Sequence, residues 1–186
     1  MSKNIAIFAS GGGSNAEVII KHFKQSKKGN VALIVTNNEN AGIVSRAENH
    51  NIPFYILEKS ELEETEFSEV LMAMEIDFIV LAGFLKKIPE DIIEAYPSTI
   101  VNIHPALLPK YGGKGMYGLH VHQAVAAAKE SESGMTIHYV NGKYDDGAII
   151  EQHKIKLDGS ESAKEIASKV LELEHDYYAL CIDKLL

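Results

Sequence analysis

An α/β fold with a doubly wound, mostly parallel, Rossmann-like sheet is predicted by three observations. Short apolar β-branched runs alternate with segments of helical periodicity through the first hundred or so positions. The first run breaks into Ser10-Gly11-Gly12-Gly13-Ser14-Asn15, a loop of the kind that joins a strand to a helix. Two runs of alternating character around a polar turn then predict an antiparallel hairpin near the carboxyl terminus. At 186 residues the chain is read as one domain, 1–186, able to bury its own core.

Each element follows from local pattern. Residues 5–9 are a strand, and Val18, Ile19, His22 and Phe23 give the first helix its apolar face, with Ser14 expected to cap it or to bind phosphate. Residues 31–35 form the second strand, residues 43–50 a helix and residues 53–57 the third strand. A helix is expected from a Ser60 cap through Phe67, Val70, Leu71 and Met74; the glutamates crowding its first turns suit its dipole and read as a solvated face. Residues 77–82 form the fourth strand, apolar without a break from Phe78 onward as in a buried parallel strand, and Gly83 ends it before Phe84-Leu85-Lys86-Lys87-Ile88-Pro89. A helix over 89–96 leads to the strand at Ile100. Residues 112–118 are too rich in glycine to pack a core and read as a mobile loop or lid. His120 and His122 come before a helix expected over 123–129, in a ligand-facing or capping role. The hairpin strands are residues 134–140 and 148–157, and a long terminal helix begins at Ser162.

Composition excludes several classes of function. A formal net charge of -8 disfavours nonspecific binding to nucleic acid or to an anionic membrane. The single cysteine, Cys181, cannot form an internal disulfide, and no Cys or His spacing suggests a metal site. No apolar run is long enough for a signal peptide or a bilayer span, so the expectation is a cytoplasmic protein. An anionic ligand must then be held by local donors against the overall field.

The chemistry is expected at Ile100-Val101-Asn102-Ile103-His104-Pro105. Alternation along a strand puts Asn102 and His104 on one face and Val101 and Ile103 on the other. Pro105 stops the pairing just after the histidine, which places both polar groups at a strand's carboxyl end, where ligands bind in open α/β sheets. The same residues also suit a capped turn and a hydrogen-bonded strand-end histidine. The glycine loop lets a phosphate approach backbone N–H groups at a helix start. It also fits Gly-x-Gly-x-x-Ala, but the second strand runs into Thr36-Asn37-Asn38 without the acidic residue a dinucleotide ribose needs. Asp145 and Asp146 lie in the hairpin connection, where they can serve chemistry or only the turn, and His138 lies on its first strand.

Four motifs occur in a telling order: Gly-Gly-Gly-Ser-Asn after the first strand, Leu-Ala-Gly-Phe after the fourth, Asn-Ile-His-Pro-Ala-Leu-Leu-Pro-Lys-Tyr, and Tyr-Asp-Asp-Gly-Ala-Ile-Ile. Together they resemble the phosphoribosylglycinamide formyltransferases, a folate-dependent family, over nearly the whole length. The resemblance implies formyl transfer from 10-formyltetrahydrofolate to the amine of glycinamide ribonucleotide, without a metal. It implies a catalytic trio of Asn102, His104 and Asp145. Gly12, Gly13, Ser14 and Asn15 would hold the phosphate, and Glu174 the ribose. Phe84, Leu85, Lys86, Lys87 and Ile88, with Asn102 and His138, would line the folate site. Physically, the Asn102 amide and a protonated His104 would face the oxyanion, with Asp145 favouring the imidazolium. Three departures stand out. Residues 112–117 are longer than the usual short Pro-Gly link, Lys87 takes a usually apolar position, and Asp146 stands where glycine is common. The competing readings are a formyltetrahydrofolate hydrolase, a tRNA formyltransferase-like enzyme, and a non-catalytic nucleotide-binding Rossmann module.

Overall fold

The computed structural model describes residues 2–58 and 67–186. Seven strands form one sheet in the order β3-β2-β1-β4-β5-β6-β7. In chain order these are β1 (Lys3–Phe8), β2 (Gly29–Thr36), β3 (Phe54–Ile56), β4 (Phe78–Leu81), β5 (Ile100–His104), β6 (Glu132–Tyr139) and β7 (Ile149–Lys156). The first five pair in parallel, whereas β6 is antiparallel to both β5 and β7. The helices are α1 (Ser14–Phe23), α2 (Gly42–His50), α3 (Phe67–Ala73), α4 (Glu90–Ala95), α5 (Leu119–Ala127) and α6 (Ala163–Leu185). None of the described helices is long and apolar enough to cross a membrane.

The apolar runs explain where the core sits. Ile5, Ile7, Val101, Ile103 and Ile137 face one buried layer with α1 and α6, while Ala6, Phe8, Leu33, Val35, Ile79 and Leu81 face the other with α3 and α4. Strand β1 is covered on both faces, as a continuous apolar run in a parallel sheet requires. The strand order reverses between β1 and β4, and a crevice opens beyond the carboxyl ends there. Ser10 ties its two sides together. Its N–H donates to Gly83 O at 3.0 Å, and its hydroxyl accepts from Leu85 N–H at 2.9 Å and donates to Asn37 Oδ1 at 2.5 Å.

Two expectations are corrected. Ser14 does not cap α1. The cap position belongs to Gly13, whose φ of 68° turns the chain and whose missing Cβ leaves room for Ile43, 2.5 Å from where that atom would stand. Helix α5 starts at Leu119 rather than residue 123, so His120 and His122 lie in its first turn; the turn is set by the backbone at Gly118 (φ 53°), and no apolar periodicity announces it. The Ser60 cap and the glutamates after it lie outside the described residues, and only α3 speaks for that helix. By contrast Ser162 caps α6 through a reciprocal box with Glu165.

Candidate active site

Antiparallel pairing assembles the site. Asn102 lies opposite His138, and His104 opposite Thr136, so the polar face of β5 continues onto β6. Thr136 fixes the loop that follows β5: its buried hydroxyl donates to Ala106 O at 2.6 Å and accepts from Leu108 N–H at 3.0 Å. Beyond β6, the connection returns Asp145 to the two histidines. Its Oδ2 lies 3.5 Å from His104 Nδ1 and its Oδ1 3.7 Å from His138 Nε2. Asp145 has φ 53°, a left-handed conformation that Asp tolerates better than most residues. Asp146 is exposed and lies 3.8 Å from Lys143, outside this cluster.

Hydrogen-bond partners fix the histidine tautomers. A backbone carbonyl only accepts, so Nε2 of His104, 2.8 Å from Tyr111 O, carries the ring hydrogen. The lone pair is then on Nδ1, facing Asp145. By the same argument His138 donates from Nδ1 to Tyr139 O at 2.8 Å and accepts at Nε2 from the Asn102 amide at 3.0 Å. Asn102 keeps one amide hydrogen for a ligand. Gly113 N–H donates to Asp145 Oδ2 at 2.8 Å.

Burial, with His104 only 3% exposed, pushes its pKa below the usual imidazole value despite Asp145 and the Tyr111 carbonyl, which pull the other way. With the Nε2 hydrogen held by the Tyr111 carbonyl, Nδ1, 3.5 Å from Asp145 Oδ2, is the ring's proton-accepting atom. Burial also opposes ionisation of Asp145, but His138, His104 and the Gly113 N–H outweigh it and hold the carboxyl below its usual pKa.

A cleft of about 820 Å³ runs past this cluster. Asn102, His104, His138 and Asp145 line it together with Asn15, Glu174, Phe84, Leu85, Lys86, Lys87 and Ile88. Asn15 donates to Glu174 Oε2 at 2.6 Å, joining α1 to α6. Burial pushes the Glu174 carboxyl up, against the lowering effect of that amide, and Asn15 Oδ1 is buried without a partner among the described residues. Gly12, Gly13 and Ser14 are not in the lining. Instead α2 holds the glycine loop from behind: Ile43 N–H donates to Gly11 O at 3.1 Å and Arg46 Nε to Gly12 O at 2.7 Å. Both contacts engage carbonyls of the loop that leads into α1.

Several lining residues carried no assignment from sequence. Lys114, Met116 and Tyr117 make the glycine-rich stretch a wall of the cleft, and Lys143 and Asn141 come from the hairpin connection. Of the two histidines expected in a ligand-facing or capping role, His122 is buried and lines the cleft, whereas His120 is exposed and meets Tyr117 edge-on at 5.5 Å. The backbone partners Tyr111 and Gly113 leave no trace in sequence, because any residue type carries those atoms.

Comparison with known proteins converges on one group. Residues 3–182 match the formyl transferase family. A chloroplastic phosphoribosylglycinamide formyltransferase of Arabidopsis thaliana is 40% identical over 98% of this chain and 67% of its own length. The Bacillus subtilis phosphoribosylglycinamide formyltransferase is 35% identical over 99% of this chain and 95% of its own. The chain spans 61% of a second chloroplastic relative, from Vigna unguiculata. Among solved structures, the phosphoribosylglycinamide formyltransferase of Bacillus halodurans aligns with a TM-score of 0.89 at 36% identity, covering 99% of this chain and 95% of that one. Glycinamide ribonucleotide transformylase 1 of Geobacillus kaustophilus aligns with a TM-score of 0.91 at 31% identity, covering 100% of both chains.

Proposed function

The chain belongs to the formyl transferase family, and from that premise we propose that its cleft transfers a formyl group from 10-formyltetrahydrofolate to the amine of glycinamide ribonucleotide, a step of purine biosynthesis. The observation that carries the reading is the convergence of Asn102, His104 and Asp145 in the same cleft as the Asn15–Glu174 pair. An acceptor binds at one end, the donor at the other, and the trio stands between.

The residues suit the donor. Phe84, Leu85 and Ile88 give an apolar wall for a flat ring system, and the exposed Lys86 and Lys87 suit carboxylates at the mouth. Bound there, 10-formyltetrahydrofolate supplies the formyl carbon. Asn102 then directs its remaining amide hydrogen at the formyl oxygen, where negative charge develops. His104 accepts the proton of the attacking amine at Nδ1, the ring position not held by Tyr111, and can return it to the leaving nitrogen. Asp145 stabilises the imidazolium while it exists. No covalent enzyme intermediate is needed, and Cys181, buried with its thiol pushed up to about 11, is not a nucleophile for this reaction.

The test is a formyl-transfer assay offering glycinamide ribonucleotide, water and methionyl-tRNA as acceptors. Rapid transfer to the ribonucleotide alone is expected; preference for water or for the tRNA would replace the reading with a hydrolase or a tRNA formyltransferase.

The acceptor end makes a separate prediction. The loop N–H groups before α1 should hold the phosphate, and Asn15 and Glu174 the ribose, so removing the phosphate should weaken binding. Titration calorimetry with glycinamide ribonucleotide and its dephosphorylated form measures this. Equal affinities would remove the phosphate assignment from the glycine loop.

A further inference from the structure

We propose that Glu130, acting through the Tyr111 hydroxyl, is a positioning residue that holds the His104 imidazole in its Nε2–H tautomer. The proposal rests on the reading of His104 as proton acceptor. One ring nitrogen of His104 meets a single carbonyl, Tyr111 O, at 2.8 Å, so whatever fixes that carbonyl fixes where the ring hydrogen sits. Tyr111 has φ 57°, a left-handed conformation that side chains other than glycine avoid unless neighbours hold them there.

The neighbour that holds it is Glu130. The Tyr111 hydroxyl donates to Glu130 Oε1 at 2.8 Å, and Lys110 Nζ donates to the same oxygen at 3.0 Å. Glu130 sits in the turn between α5 and β6, just after Lys129, which is itself left-handed at φ 49°. The tyrosine side chain packs against the main core. It therefore reaches away from the cleft to its anchor while its carbonyl turns toward His104. Two residues later Gly113 N–H meets Asp145, so one short segment holds both members of the proton-transfer pair. Neither Tyr111 nor Glu130 lines the cleft, and no step of formyl transfer requires a carboxylate at position 130. Their arrangement is explained by what they do to His104.

The experiment reads the tautomer directly, from the ring ¹⁵N chemical shifts of His104 in ligand-free protein, for Tyr111→Phe and Glu130→Ala. The parent protein should show one tautomer with hydrogen on Nε2. Both variants should show a mixture, a displaced pH profile of kcat, and kcat lowered about tenfold while KM for glycinamide ribonucleotide stays within about twofold. Glu130→Gln, whose amide oxygen can still accept from the hydroxyl, should restore the single tautomer. Lys110→Ala leaves the hydroxyl bond in place and should match the parent. The proposal is overturned by a parent-like tautomer and pH profile in Tyr111→Phe and Glu130→Ala, or by Lys110→Ala shifting as they do. Because the shifts are read without substrates, a His104 that responds as expected in a protein unable to formylate the ribonucleotide would sink the functional reading and leave this one standing.

Discussion

Asp145→Asn should slow single-turnover formyl transfer about a hundredfold or more while leaving ribonucleotide binding close to that of the parent. The carboxylate touches His104 and His138 and does not belong to the Asn15–Glu174 end of the cleft. Its loss removes the charge that stabilises the imidazolium, and the rate falls because that ion forms during the reaction and is absent from the resting ring. His104→Ala should cost at least as much, since it removes the acceptor itself. The double variant should cost far less than the product of the two, because residues that act as a unit are strongly non-additive. Asp146→Asn, at an exposed site outside the cluster, should change little. Fully multiplicative losses would separate Asp145 from His104, and an equally damaging Asp146→Asn would identify the wrong carboxylate.

The same pair predicts a pH effect with a definite sign. His104 must be without its second proton to accept one, so kcat/KM should fall as pH drops through its pKa. Burial places that limb below the usual imidazole value. Removing the negative neighbour in Asp145→Asn makes the imidazolium harder to form, so the limb should move to lower pH still. A limb that moves upward would contradict the assignment of the acid limb to His104.

What could be read from sequence, and what could not, divides by the kind of atom involved. The strands were legible because side-chain hydrophobicity carries their period: Ile5 to Ala9 is buried on both faces as a continuous apolar run must be. Asn102 and His104 were legible as a pair because alternation puts them on one face and Pro105 ends the strand beside them. Asp145 was distinguishable from Asp146 only through the resemblance; nothing in the spacing says which of two adjacent acids turns inward. The downward pull on the His104 pKa was not legible, because the burial behind it is a property of the assembled sheet. The Tyr111 and Gly113 contacts and the grip of Arg46 on Gly12 O run through backbone atoms, which every sequence supplies. The start of α5 and the Gly13 cap were missed for the same reason, since backbone turns at glycine set both.

Gly147→Ala should be nearly as damaging to turnover as loss of Asp145, although residue 147 touches no ligand. A Cβ there would stand 1.7 Å from Tyr139 O and 2.7 Å from Tyr139 C. Carbon and oxygen normally settle no closer than about 3.3 Å, so a methyl group must drive the two backbones apart by roughly the difference. The carbonyl in its way is the one that accepts from His138 Nδ1, and the N–H of the same residue, Tyr139, donates to Ala148 O at 2.9 Å. Displacing that peptide therefore frees His138, loosens its Nε2 contact with the Asn102 amide, and shifts Asp145 two residues upstream. Misplacement of this size typically costs on the order of a hundredfold in rate. The overpacked junction should also lower stability by about 1–3 kcal/mol, measured by chemical denaturation. Gly142 supplies the control: it lies in the same connection, has nothing within 4 Å of its ideal Cβ and is not left-handed, so Gly142→Ala should retain both turnover and stability. If Gly147→Ala instead behaves like Gly142→Ala, the end of β6 yields at no cost, and close packing against Tyr139 is not what holds Asn102, His138 and Asp145 in register.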